Sequence, residues 1–429
     1  MRFLTSALAG LLLFSSTAAA LEWSMHGSLK NETSYFVSGE KRLDKMQNRI
    51  DLKPEAVLTD RIEFRGRALL WYDAAMDIEA TNSRDMSAAI KHHYRDYTKV
   101  KEAYILYGGD DYDLRLGQQQ IVWGKTDGLR MLDIVNPLDM REFLLDDFLD
   151  SRIGLVAARL NYYAYLGDSE HEFELIVIPD AKTAEMAPLG SRWGFALPTL
   201  PAGVSPAILS GEKPNWAAKN TEYGAAWRSN VDGWDLSLNW FYGWKDTPNL
   251  QKSLSGTSMF ITPVYSRMNT VGGSFSNAFG AWVVRGEVAV NIDEGLDTNG
   301  VTIASSVTKK NTLNAAVGVD YNANNWTISP QLFVRHISGW NTNILEDKSS
   351  GFVSLRIATD YMNEKLKPDV IGLYNWADQS WMLRPKVSYE FTDHIKATAG
   401  VDLFGGNAAA FFGQFDDNDR IYSELEYTF

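Results

Sequence analysis

The chain has 429 residues, no cysteine and a formal net charge of −13. The lack of cysteine excludes a disulfide framework, and the acidic balance argues against nucleic acid as a partner. Aromatic residues make up 12% of the chain, with 14 Trp and 19 Tyr, a surplus typical of membrane barrels with aromatic girdles.

The first residues read "MRFLTSALAGLLLFSSTAAA". Arg2 supplies a short positive region, Ala7 to Phe14 an apolar core, and Ala18, Ala19 and Ala20 the small residues of a cleavage site. This pattern predicts a signal peptide over 1–20, and hence export from the cytoplasm. Beyond it there is no apolar run as long as the roughly 18 residues of a spanning helix.

From Glu22 onward the chain alternates with period two. In "GWDLSLNWFYGW", Trp234, Leu236, Leu238, Trp240, Tyr242 and Trp244 share one face, and Asp235, Ser237, Asn239 and Gly243 the other. In "WMLRPKVSYEF", Trp381, Leu383, Val387, Tyr389 and Phe391 oppose Arg384, Lys386, Ser388 and Glu390. This is strand patterning with the charges confined to one face. Tight turns are expected at Thr59-Asp60, Gly108–Asp110, Leu166–Ser169, Asn230–Gly233, Asn277–Gly280, Asn322–Asn324, Met362–Lys365 and Thr392-Asp393. Longer connections alternate with them at 76–95, 125–150, 180–217, 246–261, 293–310, 338–350 and 405–419, with two short exceptions near Gly39 and Ala377. Outer-membrane barrels have short periplasmic turns and long outer loops. The pattern therefore predicts an all-β, antiparallel transmembrane barrel over 21–429 with 18 strands, 16 being the alternative count, and both termini periplasmic. Parity requires "TPVYSRMNTVGGSFS" to be one strand.

A charge facing mid-bilayer lipid costs roughly 2–4 kcal/mol. The strand arginines Arg49, Arg65, Arg67, Arg115, Arg285, Arg335, Arg356 and Arg384 are therefore assigned to a polar, water-filled lumen wall.

The connection "GQQQIVWGKTDGLRMLDIVNPLDMRE" changes period half-way. Its Gly-Gln half reads as the end of a strand. Asn136-Pro137 looks like an N-cap followed by Pro at the first helical position. Met140, Phe143, Leu144 and Phe148 follow at helical spacing. These signals predict a helix of about three turns over 137–149, a tight turn at Asp127-Gly128 and a short helical piece over 129–133. Its charges of both signs match the lumen wall, so 125–150 is expected to fold inward as a constriction. Further on, 180–217 holds five of the 13 prolines and "GFALPTLPAGVSPAIL". A loop of that apolarity is expected to cover the barrel mouth, dock against the plug or receive an apolar ligand.

Two weaker patterns bear on other chemistry. "GGSFS" at 272–276 lacks the last glycine of a nucleophile elbow and sits in a strand. "FDDNDR" at 415–420 lacks the glycine and distal Glu of a dedicated calcium loop. No catalytic residue, metal site or cofactor is assigned. The chain stops at "RIYSELEYTF", an alternating strand with Tyr427 and a terminal Phe429. It resembles the C-terminal strand that the barrel-assembly machinery reads, and outer-membrane lipid is then the surrounding phase.

Gly117, Gln118, Trp123, Gly124, Asp127, Asp133, Asn136, Pro137, Asp139, Arg141, Glu142 and Arg152 form a pattern of Gly-Gln, Trp-Gly, Asp-Gly, Leu-Asp, Asn-Pro and Asp-x-Arg-Glu. It resembles a family of proteobacterial outer-membrane barrels known mainly as a domain of unknown function, itself similar to alginate-exporter-like barrels. The resemblance implies association with envelope exporters of the resistance-nodulation-division type and with handling of hydrophobic compounds.

The expected function is passage of a small amphiphilic or hydrophobic molecule through the constricted lumen. Trp123 would offer stacking or apolar contact, and Arg130, Arg141 and Arg152 would meet an anionic group. Lys125 lies beside them, and Asp127, Asp133 and Glu142 would be the counter-charges. A salt-bridge network that only fixes the plug is the competing account of the same residues. The alternatives are a general porin-like diffusion channel, an outer-membrane enzyme acting on lipid, and an adhesin or purely structural barrel.

Overall fold

The computed structural model describes residues 22–78, 87–124, 131–145, 148–196 and 202–429. The predicted signal peptide lies outside the described residues. Eighteen strands form one antiparallel sheet. In chain order they are β1 (Glu22–Phe36), β2 (Leu43–Thr59), β3 (Ile62–Asp73), β4 (Asp96–Gly108), β5 (Tyr112–Gln119) and β6 (Leu155–Leu166). Next come β7 (Ser169–Ile178), β8 (Glu222–Val231), β9 (Trp234–Trp244), β10 (Arg267–Phe279), β11 (Trp282–Asp297) and β12 (Val307–Ala323). The last six are β13 (Trp326–Ile337), β14 (Ser349–Thr359), β15 (Leu366–Asn375), β16 (Ser380–Glu390), β17 (Ile395–Gly405) and β18 (Arg420–Thr428). β18 pairs back onto β1 from Ser28↔Thr428 to Phe36↔Arg420, which closes the barrel. Closure leaves no open sheet edge, the condition for strands to cross a bilayer.

The faces are inverted relative to a soluble sheet. On β9, Leu238 and Trp240 are 61% and 41% exposed on the outside, while Ser237 and Asn239 are each 5% exposed inside. Short turns and long connections alternate in the predicted parity. The turns 60–61, 109–111, 167–168, 232–233 and 280–281 share one end, and the connections 74–95, 120–154, 179–221 and 245–266 the other. Outward-facing aromatics gather towards the turn end, among them Trp282 against Tyr321 (4.5 Å between ring centroids) and Tyr389 against Phe391 (4.8 Å).

Two local expectations are corrected, and one that stood open between alternatives is decided. The stretch "TPVYSRMNTVGGSFS" is not one strand. Its first part closes a hairpin of Asn249–Ser255 with Ser258–Val264 that stands in the connection, and β10 begins only at Arg267. Pro263 pairs inside that hairpin and has no N–H to offer a barrel neighbour. Of the courses expected for the 180–217 connection, docking against the 125–150 segment is the one seen, through Glu185–Met186 paired with Asp139–Met140. The connection's first part docks inside the barrel, and Ser205–Ile208 adds in parallel to the hairpin. The predicted helix over 137–149 is replaced, over its described residues, by an extended bridge at Asp139–Met140, turns at 141–144 and one helical turn at Phe148–Ser151. Two causes are visible. The Asn136 side chain ties two other segments together instead of capping a helix, and Phe143 has φ 54°, which ends any right-handed run.

Candidate functional site

The site is built where β5 leaves the wall. Asn136 is 0% exposed and joins the outgoing and returning chain. Its Oδ1 accepts from Ile121 N (2.6 Å), and its Nδ2 donates to Ile153 O (2.7 Å) and Gln119 O (3.4 Å). Around this knot Ile121, Trp123, Val135 and Leu155 pack with Ile176, Ile178, Ala226 and Phe241 of β7, β8 and β9. Trp123 meets Phe241 edge-on at 6.0 Å and donates Nε1–H to Glu174 (2.6 Å). Leu132 N donates to Glu287 of β11 (3.2 Å), and the Leu132 side chain lies against Gly272 of β10. A Cβ at Gly272 would come within 2.4 Å of Leu132, so the glycine is what admits the contact.

From there residues 131–145 run to the far side. Glu142 pairs with Lys45 of β2. Arg384 of β16 donates to the carbonyls of Leu144 (3.2 Å) and Leu145 (3.0 Å). Phe143 enters an aromatic cluster with Phe404, Phe412 and Phe415, the last at 4.6 Å. β2 and β11 stand half of the 18-strand ring apart. Strands about 4.8 Å apart and tilted by about 40° give such a ring a diameter of roughly 35 Å. Ten extended residues reach about as far. Residues 131–145 are therefore a beam that meets opposite walls.

Ion pairs brace the beam against the remaining wall. Asp133 and Arg152 pair at 2.6 Å with side chains 4% exposed. Asp139 holds Arg141 at 2.6 Å and Lys99 of β4 at 3.2 Å, and Glu185 of the docked 179–221 connection joins Lys99 at 3.2 Å. The short pairing of Asp139–Met140 with Glu185–Met186 sets that contact. Burial alone would raise the Asp139 carboxyl. The Arg141 hydrogen bonds and charge, with Lys99, outweigh it and hold Asp139 below the usual carboxylate range. Arg141 also lies over the rings of Tyr97 (4.4 Å) and Trp71 (5.2 Å). A β-bulge in β4 opposite Arg67/Ala68 turns the Lys101 side chain inward, where its Nζ donates to the carbonyls of Asp150 and Arg152 (2.9 Å). Between beam and wall remains a cavity of ≈ 40 Å³ lined by Arg49, Trp71, Lys101 and Arg141 among others, room for about two or three waters.

The lumen arginines are mostly paired. Arg49 meets Asp150 (2.9 Å), Arg67 both Asp51 (2.7 Å) and Asp150 (2.6 Å), Arg65 Glu63 (2.9 Å), and Arg285 Asp320 (2.9 Å). Arg335 meets Glu294 (3.0 Å), Arg356 Asp369 (2.7 Å) and Arg384 Asp402 (2.7 Å). Arg115 has no ion pair among the described residues.

Of the candidate constriction residues, Trp123, Asp133, Arg141, Glu142 and Arg152 are brought into or against the beam. Lys125, Asp127 and Arg130 lie outside the described residues. Trp123, Arg141 and Arg152 are 3%, 5% and 3% exposed. They hold the beam and present no open face to a solute, in contrast to the stacking and anion-contact roles expected of them. The beam also depends on residues that sequence reasoning passed over or misread. Lys45, Lys101, Glu174 and Glu185 carry no local signal of their role, and Asn136 had the signal of a cap. Tyr427 and Phe429 lie on the outer face, and the Phe429 backbone exchanges hydrogen bonds with Gly27 (2.9 and 3.0 Å). The acidic "FDDNDR" stretch is anchored, with Asp419 Oδ1 accepting from Phe404 N (2.8 Å) and Asn418 donating to Arg192 O. "GGSFS" lies within β10, where Ser274 hydrogen-bonds Ser237 (2.7 Å).

Solved barrels share this architecture. OccAB3 of Acinetobacter baumannii matches with a TM-score of 0.54 at 10% identity, over 95% of this chain and 99% of that one. OccK5 (OpdH) of Pseudomonas aeruginosa matches at 0.51 and 12% identity, over 95% and 98%. OccK2 (OpdF) of the same organism, solved in complex with glucuronate, matches at 0.50 and 11%, over 96% and 97%. Likeness at this level carries the fold, an outer-membrane β-barrel, and not a ligand. No curated protein matches the sequence. Residues 2–429 match the family described as protein of unknown function DUF1302, and the chain belongs to that family.

Proposed function

We propose that the protein is an outer-membrane channel whose lumen is narrowed by the beam, and that it passes a small amphiphilic or hydrophobic molecule. The observation that carries this is the reach of residues 131–145 from Glu287 on β11 to Lys45 on β2 and Arg384 on β16. A segment fixed at opposite walls divides the cross-section and limits the size of what can pass. The paired charges of both signs on the wall suit a water-filled interior. In this account Trp123, Asp133, Arg141, Glu142 and Arg152 set the beam's position. The long connections lie outside the cell, the termini in the periplasm, and the terminal aromatic strand serves assembly. The hydrophobic character of the cargo, the likeness to alginate-exporter-like barrels and a link to an exporter of the resistance-nodulation-division type rest on the family resemblance.

Single-channel conductance in planar bilayers tests the channel. Wild type is compared with a variant in which 128–148 is replaced by a short Gly-Ser linker. The variant is expected to conduct several-fold more and to lose size selection among neutral solutes. Equal conductance would remove the constriction, and a wild type without size selection would mean a general diffusion channel.

A further inference from the structure

On the lumen wall beside the beam, one arginine has no ion pair among the described residues. Arg115 of β5 and Arg159 of β6 are direct cross-strand partners. Like charges placed opposite one another destabilise a strand pair, so this register calls for an anion. Arg159 has one, with its Nε at 2.9 Å from Glu174 and its Nη2 also in contact. That carboxylate is already saturated. Glu174 also takes Arg228 (3.2 Å) and the Trp123 indole N–H (2.6 Å), and its side chain is 0% exposed. It cannot serve Arg115 as well. Arg115 has no ion pair among the described residues, and its Nε is buried without a hydrogen-bond partner. A buried charged donor left unmade is costly and needs a reason.

The surroundings carry charge of both signs. Arg65 is the cross-strand partner of Tyr104 on β4, and Tyr104 lies within electrostatic reach of Glu102, Arg115, Arg65 and Arg159. Arg65 spends its charge on Glu63 (2.9 Å), and Glu102 accepts from Gln120 N (3.4 Å). Gly117 lies between Tyr104 and Arg115 in the wall, and a Cβ there would come within 3.1 Å of the Tyr104 Cβ.

We infer that Arg115, backed by Arg159 and flanked by Tyr104, binds the carboxylate of a solute in transit. The Arg115 Nε is enclosed, so a solute carboxylate is met end-on by the two parallel Nη–H donors of the guanidinium. The Tyr104 ring is 8% exposed and offers no open face, so the apolar body of the cargo comes from the channel reading alone. The cargo class is therefore a monocarboxylate with an apolar body. This rests on the channel reading and extends it.

Benzoate, phenyl phosphate, benzamide and benzylamine are soluble probes that share one ring. Their binding to the detergent-solubilised full chain is measured by calorimetry, and their block of current in planar bilayers separately. Folded state is checked by heat-modifiable gel mobility. Benzoate is expected to bind best. R115Q should lose about tenfold or more of its affinity, as for one charge-assisted hydrogen bond. R115K should fall between, and R356Q, a lumen arginine that keeps no role here, should stay within about twofold of wild type. Unchanged benzoate affinity in R115Q, an equal loss in R356Q, or equal binding of benzamide would overturn the assignment. Preference for phenyl phosphate would overturn the carboxylate class. Benzoate binding through Arg115 in a barrel that does not conduct would keep the site and refute the channel.

Discussion

Replacing Asn136 by Ala removes the knot from which the beam starts. The side chain is fully enclosed and serves Ile121 N at 2.6 Å and Ile153 O at 2.7 Å. N136A leaves an amide and a carbonyl buried without partners. At about 1–3 kcal/mol for each such group, the local cost is about 2–6 kcal/mol. The barrel wall is independent of this contact, so the loss falls on the beam. Hydrogen exchange reads it directly at the Ile121 amide. Exchange there should speed up by about thirtyfold to about ten thousandfold or more, with the wall amides of β12 to β14 unchanged. Open-channel current noise should rise in the same variant. If the Ile121 amide exchanges at the wild-type rate, Asn136 does not hold the segment and the beam is anchored otherwise.

Other perturbations follow the same logic. The Asp139 carboxyl is held below its usual range by Arg141 and Lys99. Its contribution is full above the unfolded value of about 4 and is lost only as pH falls through the lower folded value. Protease resistance of the beam should therefore be the same at pH 7 and pH 5, whereas a loss between these values would refute the pairing. D139N strips a carboxylate from the buried Arg141 and should cost about 3 kcal/mol, read as faster cleavage within 131–145. Leu238→Arg places a charge on the outer face, where Leu238 is 61% exposed. It should cost roughly 2–4 kcal/mol in urea titrations of folding into bilayers, and a neutral result would mean that this face does not meet lipid. Phe429→Ala should lower the folded yield in cells while leaving folding into detergent unchanged, because the Gly27–Phe429 backbone hydrogen bonds remain. Equal yields in cells would remove the assembly role.

The barrel was legible because its rule is local. Alternation such as Trp234 to Trp244 repeats in every strand, and the parity of turns and connections survives small errors in their limits. The two short exceptions, near Gly39 and Ala377, fall on the loop end as parity requires. The interior was less legible because its partners are distant in sequence. Asp139 meets Glu185, Leu132 meets Glu287, and Leu144 meets Arg384. The false helix has a specific cause. A beam enclosed by wall on several sides needs apolar residues pointing in several directions, so Leu138, Met140, Phe143 and Leu144 imitate a 3.6-residue stripe without forming one. The chemistry of Asn136 is the same in both accounts, since its side chain binds a backbone amide, and only its partner differs.

The central claim is that residues 131–145 touch opposite walls at once. The absence of native cysteine allows a direct measurement with introduced pairs and a short bifunctional thiol reagent, applied to outer membranes of expressing cells. The pairs Leu132→Cys with Ala289→Cys, the cross-strand partner of Gly272, and Leu145→Cys with Arg384→Cys should each cross-link, while Leu132→Cys with Arg384→Cys should not. Linking of the exchanged pair, or failure of either wall pair in a barrel shown to be folded, would contradict the account.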